Sequence, residues 1–323
     1  MANDADLIVI GAGPAGLTAA QYGARANLSV LVLEQLAPGG QALLIDTLEN
    51  YPGLRPGKSG FEFSEDLRRQ AEDFGAKFLT EGVEALQKEE GAFTVTLGSK
   101  KKLTAPAIIL ATGAKHRTLD IPGEKEFSGR GVSYCAACDG PFFKGKKIFV
   151  AGGGDAACDE AQYLSRLSGQ VIVIHRREKF RAQKALAERV MQNPNIQVRF
   201  NTVIKEIKGS DGKVTSVVLE STLESQLDAK CEAAISEESA DAVFIFVGSI
   251  PQTAPVSGGL KAETDEAGYI MTDGRMASNI PGLFAAGDVR SSPFRQVVTA
   301  AGDGAIAAHC AAAYIDNLKG ETY

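Results

Sequence analysis

A short apolar strand that runs into a glycine turn, a helix and a second apolar strand occurs twice in this chain. This repeat restricts the fold more than any other feature. The first copy is Asp6-Leu-Ile-Val-Ile-Gly11-Ala-Gly13-Pro14-Ala15-Gly16, followed by a helix expected to about Arg25 and the strand Ser29-Val-Leu-Val-Leu-Glu34. The second is Lys147-Ile-Phe-Val-Ala-Gly152-Gly153-Gly154-Asp155-Ala156, then a helix expected to about Leu167 and the strand Gln170-Val-Ile-Val-Ile-His175. Strands that are apolar at every position are buried on both faces, and a helix between two of them makes the pair parallel. The expected fold class is α/β, with two Rossmann-like dinucleotide-binding domains. A chain of 323 residues has length for two cores.

Each glycine of the first copy has a physical task. Gly11 permits the tight turn, Gly13 lets backbone amides approach a pyrophosphate at the helix N-terminus, and Gly16 lets helix and strand pack closely. Glu34 ends the second strand, where a carboxylate bonds a ribose diol. In the second copy Gly153, Gly154, Asp155 and Ala156 form the corresponding turn. Its second strand ends in His175-Arg176-Arg177, with Arg181 just beyond. A carboxylate there would repel a 2′-phosphate, whereas arginines bond it with charge assistance. The first copy therefore suits FAD, and the second suits NADPH over NADH.

A third block lies near the C-terminus. Ile280-Pro-Gly-Leu-Phe-Ala-Ala-Gly287-Asp288 reads as a strand closed by a glycine-acid pair, followed by Arg295-Gln296 and a small-residue helix over about Val297 to Leu318. Ala111-Thr112-Gly113 closes a further strand. These blocks read as one flavin site split by an insertion. The FAD domain is expected at 1–114 and 244–323, with the NADPH domain, 115–243, inserted into it.

Cys135-Ala-Ala-Cys138-Asp139 precedes the second copy. Two cysteines at this spacing beside a βαβ pattern suit a redox pair, and a neighbouring carboxyl can move the proton that thiol exchange requires. Half a zinc site and two buried thiols remain the other readings. Zinc needs two more ligands, yet Cys158, Cys231 and Cys310 stand alone and His116, His175 and His309 form no cluster. Cys158 is expected to pack as a small hydrophobe, and the polar segment Ser221 to Ala240 to form a surface hairpin or loop. A net charge of −6 gives no footprint for nucleic acid, and no apolar run suits a bilayer span. Met1-Ala-Asn-Asp-Ala-Asp has no basic region, so no secretory signal is expected. An odd cysteine count without framework spacing suits a cytoplasmic protein.

In this order the blocks resemble the bacterial-type, low-molecular-weight thioredoxin reductases, FAD- and NADPH-dependent pyridine nucleotide-disulfide oxidoreductases. The resemblance spans nearly the whole chain: GAGPAG at Gly11, GGQ at Gly39, ENYPG at Glu49, ATG at Ala111, CAACDG at Cys135, GGGD at Gly152, HRREKFRA at His175 and FAAGDV at Phe284. It implies electron flow from NADPH through FAD and a Cys135–Cys138 disulfide to the disulfide of thioredoxin. Asp139 would move the proton, Cys138 would meet the flavin and attack the partner, and Cys135 would resolve. Gln35, Gly39, Gly40, Gln41, Asn50 and Val83 would join the flavin site. Arg130, Phe142 and Phe143 bracket the redox pair as a docking surface, although both rings also suit a core. A homodimer is implied, as is rotation of the inserted domain about its connections near Gly113 to Arg117 and Ala242 to Gly248. In the glutathione-reductase-like enzymes the redox cysteines lie in the FAD domain, and here Gly39-Gly40-Gln41-Ala42 has none. Gly248-Ser-Ile-Pro-Gln-Thr253 departs from the family's GHxPNT-like stretch, so contacts near nicotinamide or flavin are expected to differ. Other readings keep the scaffold: a different disulfide carrier, a flavin diaphorase or ferredoxin–NADP reductase, or a non-enzymatic flavin sensor.

Overall fold

The computed structural model describes residues 3–45, 48, 50–55, 57–89, 91–222 and 235–320. The chain divides into two compact units, one formed by 1–115 with 250–323 and the other by 116–249.

The first unit is built on a five-stranded parallel sheet. Its order is Leu283–Ala285, Ala107–Leu110, Leu7–Ile10, Val30–Glu34, Lys77–Thr80. The chain enters at the centre and winds outward in both directions, so the strand order reverses between Leu7–Ile10 and Ala107–Leu110. Successive side chains point to opposite faces of a strand, and the core divides accordingly. Leu7, Val9 and Ile109 join one apolar cluster with residues of the helices Pro14–Arg25 and Val297–Lys319. Ile8, Ile10, Ile108 and Leu110 join another with Leu86, Phe93, Val95 and Leu103. These four come from a three-stranded antiparallel sheet, Val83–Glu89, Ala92–Leu97 and Lys102–Ala105.

The second unit repeats the plan. Its parallel sheet runs Ile196–Arg199, Val171–Ile174, Ile148–Gly152, Ala242–Phe246, Val132–Ser133. Ile148 and Val150 pack with Cys158, Ala161 and Leu164 of the helix Asp155–Ser165. Phe149 and Ala151 pack with Ile204, Val217 and Leu219. Those residues lie on a second three-stranded antiparallel sheet, Thr202–Ser210, Lys213–Ser221 and Ile235–Ser239. Ser221 and residues 235–239 of the segment expected as a hairpin or loop are thus ladder strands, and Cys231 falls outside the described residues. Among the described residues no helix is long and apolar enough to cross a membrane.

Candidate active site

Ligands bind open α/β sheets at the carboxyl ends of the strands where the order reverses. The first unit brings the predicted flavin residues to that place. A Cβ on Gly11, whose φ is +99°, would fall on the Ala111 carbonyl, and one on Gly16 would fall on the Gly11 carbonyl. The turn and the helix therefore sit as close as backbone allows. A Cβ on Gly13 would meet nothing within 4 Å, so the turn leaves open space beside its backbone, as the approach of a pyrophosphate requires. Pro14 begins the helix and supplies no unpaired N–H. Glu34 accepts the Ala12 amide at 2.8 Å and the Leu36 amide at 3.0 Å. The Gly39 amide donates to the Ala12 carbonyl at 2.7 Å, and a Cβ on Gly40 would lie 3.2 Å from the Gly13 Cα. Gln35 lies against Gly82, the neighbour of Val83.

Residues far apart in sequence meet here. The Asn50 amide donates to the Gln296 side chain at 2.9 Å, and Gln296 caps the helix that begins at Val297 in a reciprocal box with Thr299. The Gln41 side chain donates to the Ala114 carbonyl. A Cβ on Gly287 would sit 2.9 Å from that of Ala15. The Arg295 guanidinium lies 4.0 Å over the Tyr269 ring, and its buried Nε has no hydrogen-bond partner among the described residues. Burial raises the Asp288 carboxyl above its ordinary range, against the pull of Arg295. An open glycine cradle, an unsatisfied buried guanidinium nitrogen and a half-buried carboxyl fit a large polar cofactor such as FAD.

Gln252 belongs to the stretch that departs from the family pattern. Its side chain donates to the Thr112 carbonyl at 2.6 Å, the Thr112 hydroxyl donates to the Gln252 carbonyl at 2.6 Å, and its amide donates to the Gly113 carbonyl at 2.9 Å. Sequence reasoning missed this clamp. Its signal was a long amide side chain just after a Gly-Pro loop, where no charge or spacing rule singles it out.

In the second unit a Cβ on Gly154 would meet nothing within 4 Å, so this turn too leaves room for a phosphate. Asp155 is exposed, and its carboxylate accepts the Gln183 amide at 2.7 Å, while Ala156 is exposed beside it. The basic cluster divides. Arg176, Arg177 and Arg181 are exposed and form no ion pair among the described residues. His175, expected beside them, is 7% exposed and packs under Gly153, where a Cβ would strike its ring, with Phe180 and Phe200 against it. Burial, more than the nearby arginine charges, holds its imidazole below the usual histidine range. The Arg181 amide donates to the Gly153 carbonyl at 2.7 Å and ties the arginine segment to the glycine turn.

Cys135 and Cys138 form a disulfide with Cα atoms 5.3 Å apart. Cys135 caps the short helix Ala136–Asp139, and the Cys138 amide donates to its sulfur at 3.2 Å. The Asp139 amide donates to the Cys135 carbonyl at 3.1 Å, and all three residues are half-buried. Ser133, itself buried, donates to the Cys135 carbonyl at 3.3 Å and accepts its amide at 3.1 Å. The two rings after the motif separate: Phe142 is 55% exposed, whereas Phe143 packs edge-on against Phe244. Arg130 is exposed and donates to the Glu126 carbonyl at 2.6 Å. Cys158 is fully buried and its thiol is pushed up to about 11, first by burial and then by Asp155 and Asp159.

The chain is similar to known proteins along nearly its whole length. A thioredoxin reductase of Treponema pallidum is 52% identical over 319 residues, 99% of this chain and 100% of that one. A thioredoxin reductase of Bacillus subtilis is 43% identical, over 97% of this chain and 96% of its own length. The crystal structure of thioredoxin reductase from Streptococcus pyogenes is 41% identical, covers 97% of this chain and 98% of its own, and superposes with a TM-score of 0.89. The family described as pyridine nucleotide-disulphide oxidoreductase matches residues 5–304, and the chain belongs to it.

Proposed function

We infer that the chain is an NADPH-dependent reductase of the thioredoxin disulfide that works through FAD and Cys135–Cys138. One observation carries this reading. A half-buried CxxC disulfide lies in the same compact unit as a dinucleotide turn with an arginine-rich strand end. The 52% identity to a named thioredoxin reductase supports it.

Bound FAD would relay electrons from NADPH to the disulfide. Gly11, Gly13, Pro14, Ala15, Gly16 and Glu34 would hold its pyrophosphate and ribose end. Gln35, Gly39, Gly40, Gln41, Asn50, Val83, Ala111, Thr112 and Gly113, with Gly287, Asp288, Arg295, Gln296 and Val297, would enclose the rest. Gly153, Gly154, Asp155 and Ala156 would cradle the NADPH pyrophosphate, while Arg176, Arg177 and Arg181 read the 2′-phosphate. His175 would support Gly153 from beneath.

The reduced pair then acts by thiol–disulfide exchange. The Cys138 thiolate attacks one sulfur of the partner disulfide and releases the other as a thiolate. Cys135 attacks Cys138, re-forms the Cys135–Cys138 bond and frees the second partner sulfur. The partner gains two electrons and two protons, one of which passes through Asp139. The exposed Phe142 ring and Arg130 would form the docking surface, with Phe143 fixing the loop from its packed position. The two chain crossings, which include Gly113 and Gly248 at φ of +68° and +111°, would let the disulfide and the NADPH turn visit the flavin in alternation. The enzyme would work as a cytoplasmic homodimer, checked by sedimentation.

The deciding experiment is NADPH oxidation by the purified yellow protein with oxidised thioredoxin. Steady turnover that depends on thioredoxin is expected. Turnover with small dyes but none with thioredoxin would reject the reading.

A further inference from the structure

We propose that Asp303 and Arg290 form a positioning pair for FAD, holding the Gly287–Asp288 turn against the pyrophosphate helix. Neither residue belongs to a glycine motif or to the redox pair. One carboxylate oxygen, Asp303 Oδ2, accepts both the Gly287 amide at 3.1 Å and Arg290 Nε at 2.9 Å. Arg290 in turn donates from Nη1 to the Ser291 carbonyl at 2.6 Å, and its own amide donates to the Gly287 carbonyl at 3.1 Å. The turn is thus closed from both sides. The two side chains are only 15% and 14% exposed, so the pair is shielded from water and its hydrogen bonds to charged groups are strong ones.

The position of this turn matters because of what it touches. Gly287 has a φ of +74°, and a Cβ there would press on Ala15, between Gly13 and Gly16. At the residue after Asp303 in the last helix, a Cβ on Gly304 would fall on the Ala15 carbonyl. Asp303 and Gly304 therefore fasten neighbouring points of one helix to the two halves of the flavin site. Asp288, next to Gly287, has its carboxyl raised chiefly by burial, lowered by Arg295 and raised again by the Asp303 charge. Displacing Asp303 changes both where the Asp288 carboxyl stands and the charge it faces.

The inference rests on the flavin reading of the first unit. Its test is FAD retention by the full-length holoenzyme, measured by flavin fluorescence through a dilution series, together with the visible flavin spectrum and the Tm. Asp303→Ala loses both hydrogen bonds and is expected to raise the FAD dissociation constant about ten- to a hundredfold, with a shifted flavin spectrum. Asp303→Asn keeps an acceptor for the Gly287 amide and is expected to lose less, roughly three- to tenfold. Arg290→Lys keeps the charge and is expected to stay nearer the parent protein than Arg290→Met. A lower Tm with unchanged FAD affinity and spectrum in Asp303→Ala would overturn the proposal, because the pair would then be structural only. If Asp303→Ala does not fold, equal retention by Asp303→Asn, Arg290→Met and the parent overturns it in the same way. A parent protein that binds no FAD would instead defeat the flavin reading.

Discussion

The two units share one backbone plan and differ at the end of the second strand. In the first, Glu34 turns its carboxylate toward the glycine turn and accepts the Ala12 amide. In the second, His175 lies beneath the turn as a buried ring, and the charge moves outward to three exposed arginines. The close-packing position differs as well. Gly16 brings its helix onto the Gly11 carbonyl, whereas the equivalent Ala157 meets Gly152 with a full side chain. The fold therefore repeats one open glycine turn, and on the proposed function a few side chains decide which dinucleotide each copy suits. Redox sulfur lies on one unit alone: Cys135 and Cys138 belong to the second, while Gly39 to Ala42 of the first carries none.

The strongest way to break this comparison is to remove the sulfur. Cys135→Ser and Cys138→Ser are each expected to abolish thioredoxin reduction, because one thiol cannot close the disulfide that passes electrons on. Bleaching of the flavin by NADPH should survive in both. Full thioredoxin turnover in Cys135→Ser would show that the CxxC is structural and that electrons leave by another route.

The strand end offers the next largest effect. Each charge-assisted hydrogen bond to a phosphate is worth about 1.5–3 kcal/mol. Arg176→Ala with Arg181→Ala is expected to raise the Michaelis constant for NADPH tens- to thousands-fold and leave that for NADH nearly unchanged. Equal damage to both cofactors would mean that these arginines hold the unit together and do not read the phosphate.

The close-packing difference predicts an asymmetry in stability. Gly16→Ala places a Cβ on a backbone carbonyl that cannot move without the sheet, and is expected to cost about 3 kcal/mol, the upper end of overpacking. Thermal unfolding should show this as a fall in Tm of roughly 6–12 °C. Ala157→Gly removes one buried methyl from a helix and should cost only about 1 kcal/mol. Comparable losses from both would remove the distinction between the two turns.

Both glycine turns and the strands around them could be read from sequence because period, turn chemistry and burial point the same way at Leu7 to Gly16 and at Ile148 to Gly154. The side-chain contacts that complete the sites could not. Gln252 clamps Thr112 from 140 residues away, and Asp303 reaches Gly287 from another element. Such pairs leave no local period. His175 shows the other limit: its place after the strand was readable, but its inward direction depends on Phe180 and Phe200 closing over it. Phe142 and Phe143 are adjacent rings with opposite fates, because only Phe143 meets Phe244.

The smallest expected effect concerns sulfur that the chemistry does not use. Cys158 in the second unit and Cys310 in the first are both buried on helices against their sheets. With its thiol pushed up to about 11 by burial, Cys158 is only ~0.1% thiolate at pH 8, and the thiolate is the reactive form. The sign is set by desolvation: the charged form loses water, so the proton stays on. Iodoacetamide at pH 8 should therefore leave the Cys158 peptide unmodified in the folded protein and modify it fully in denaturant, as read by mass spectrometry. Cys158→Ala should lower stability by about 1 kcal/mol and leave thioredoxin turnover intact. Rapid native alkylation of Cys158 would mean that its helix opens readily from the sheet. Loss of turnover in Cys158→Ala would place a third sulfur in the electron path and end the division between working and packing cysteines.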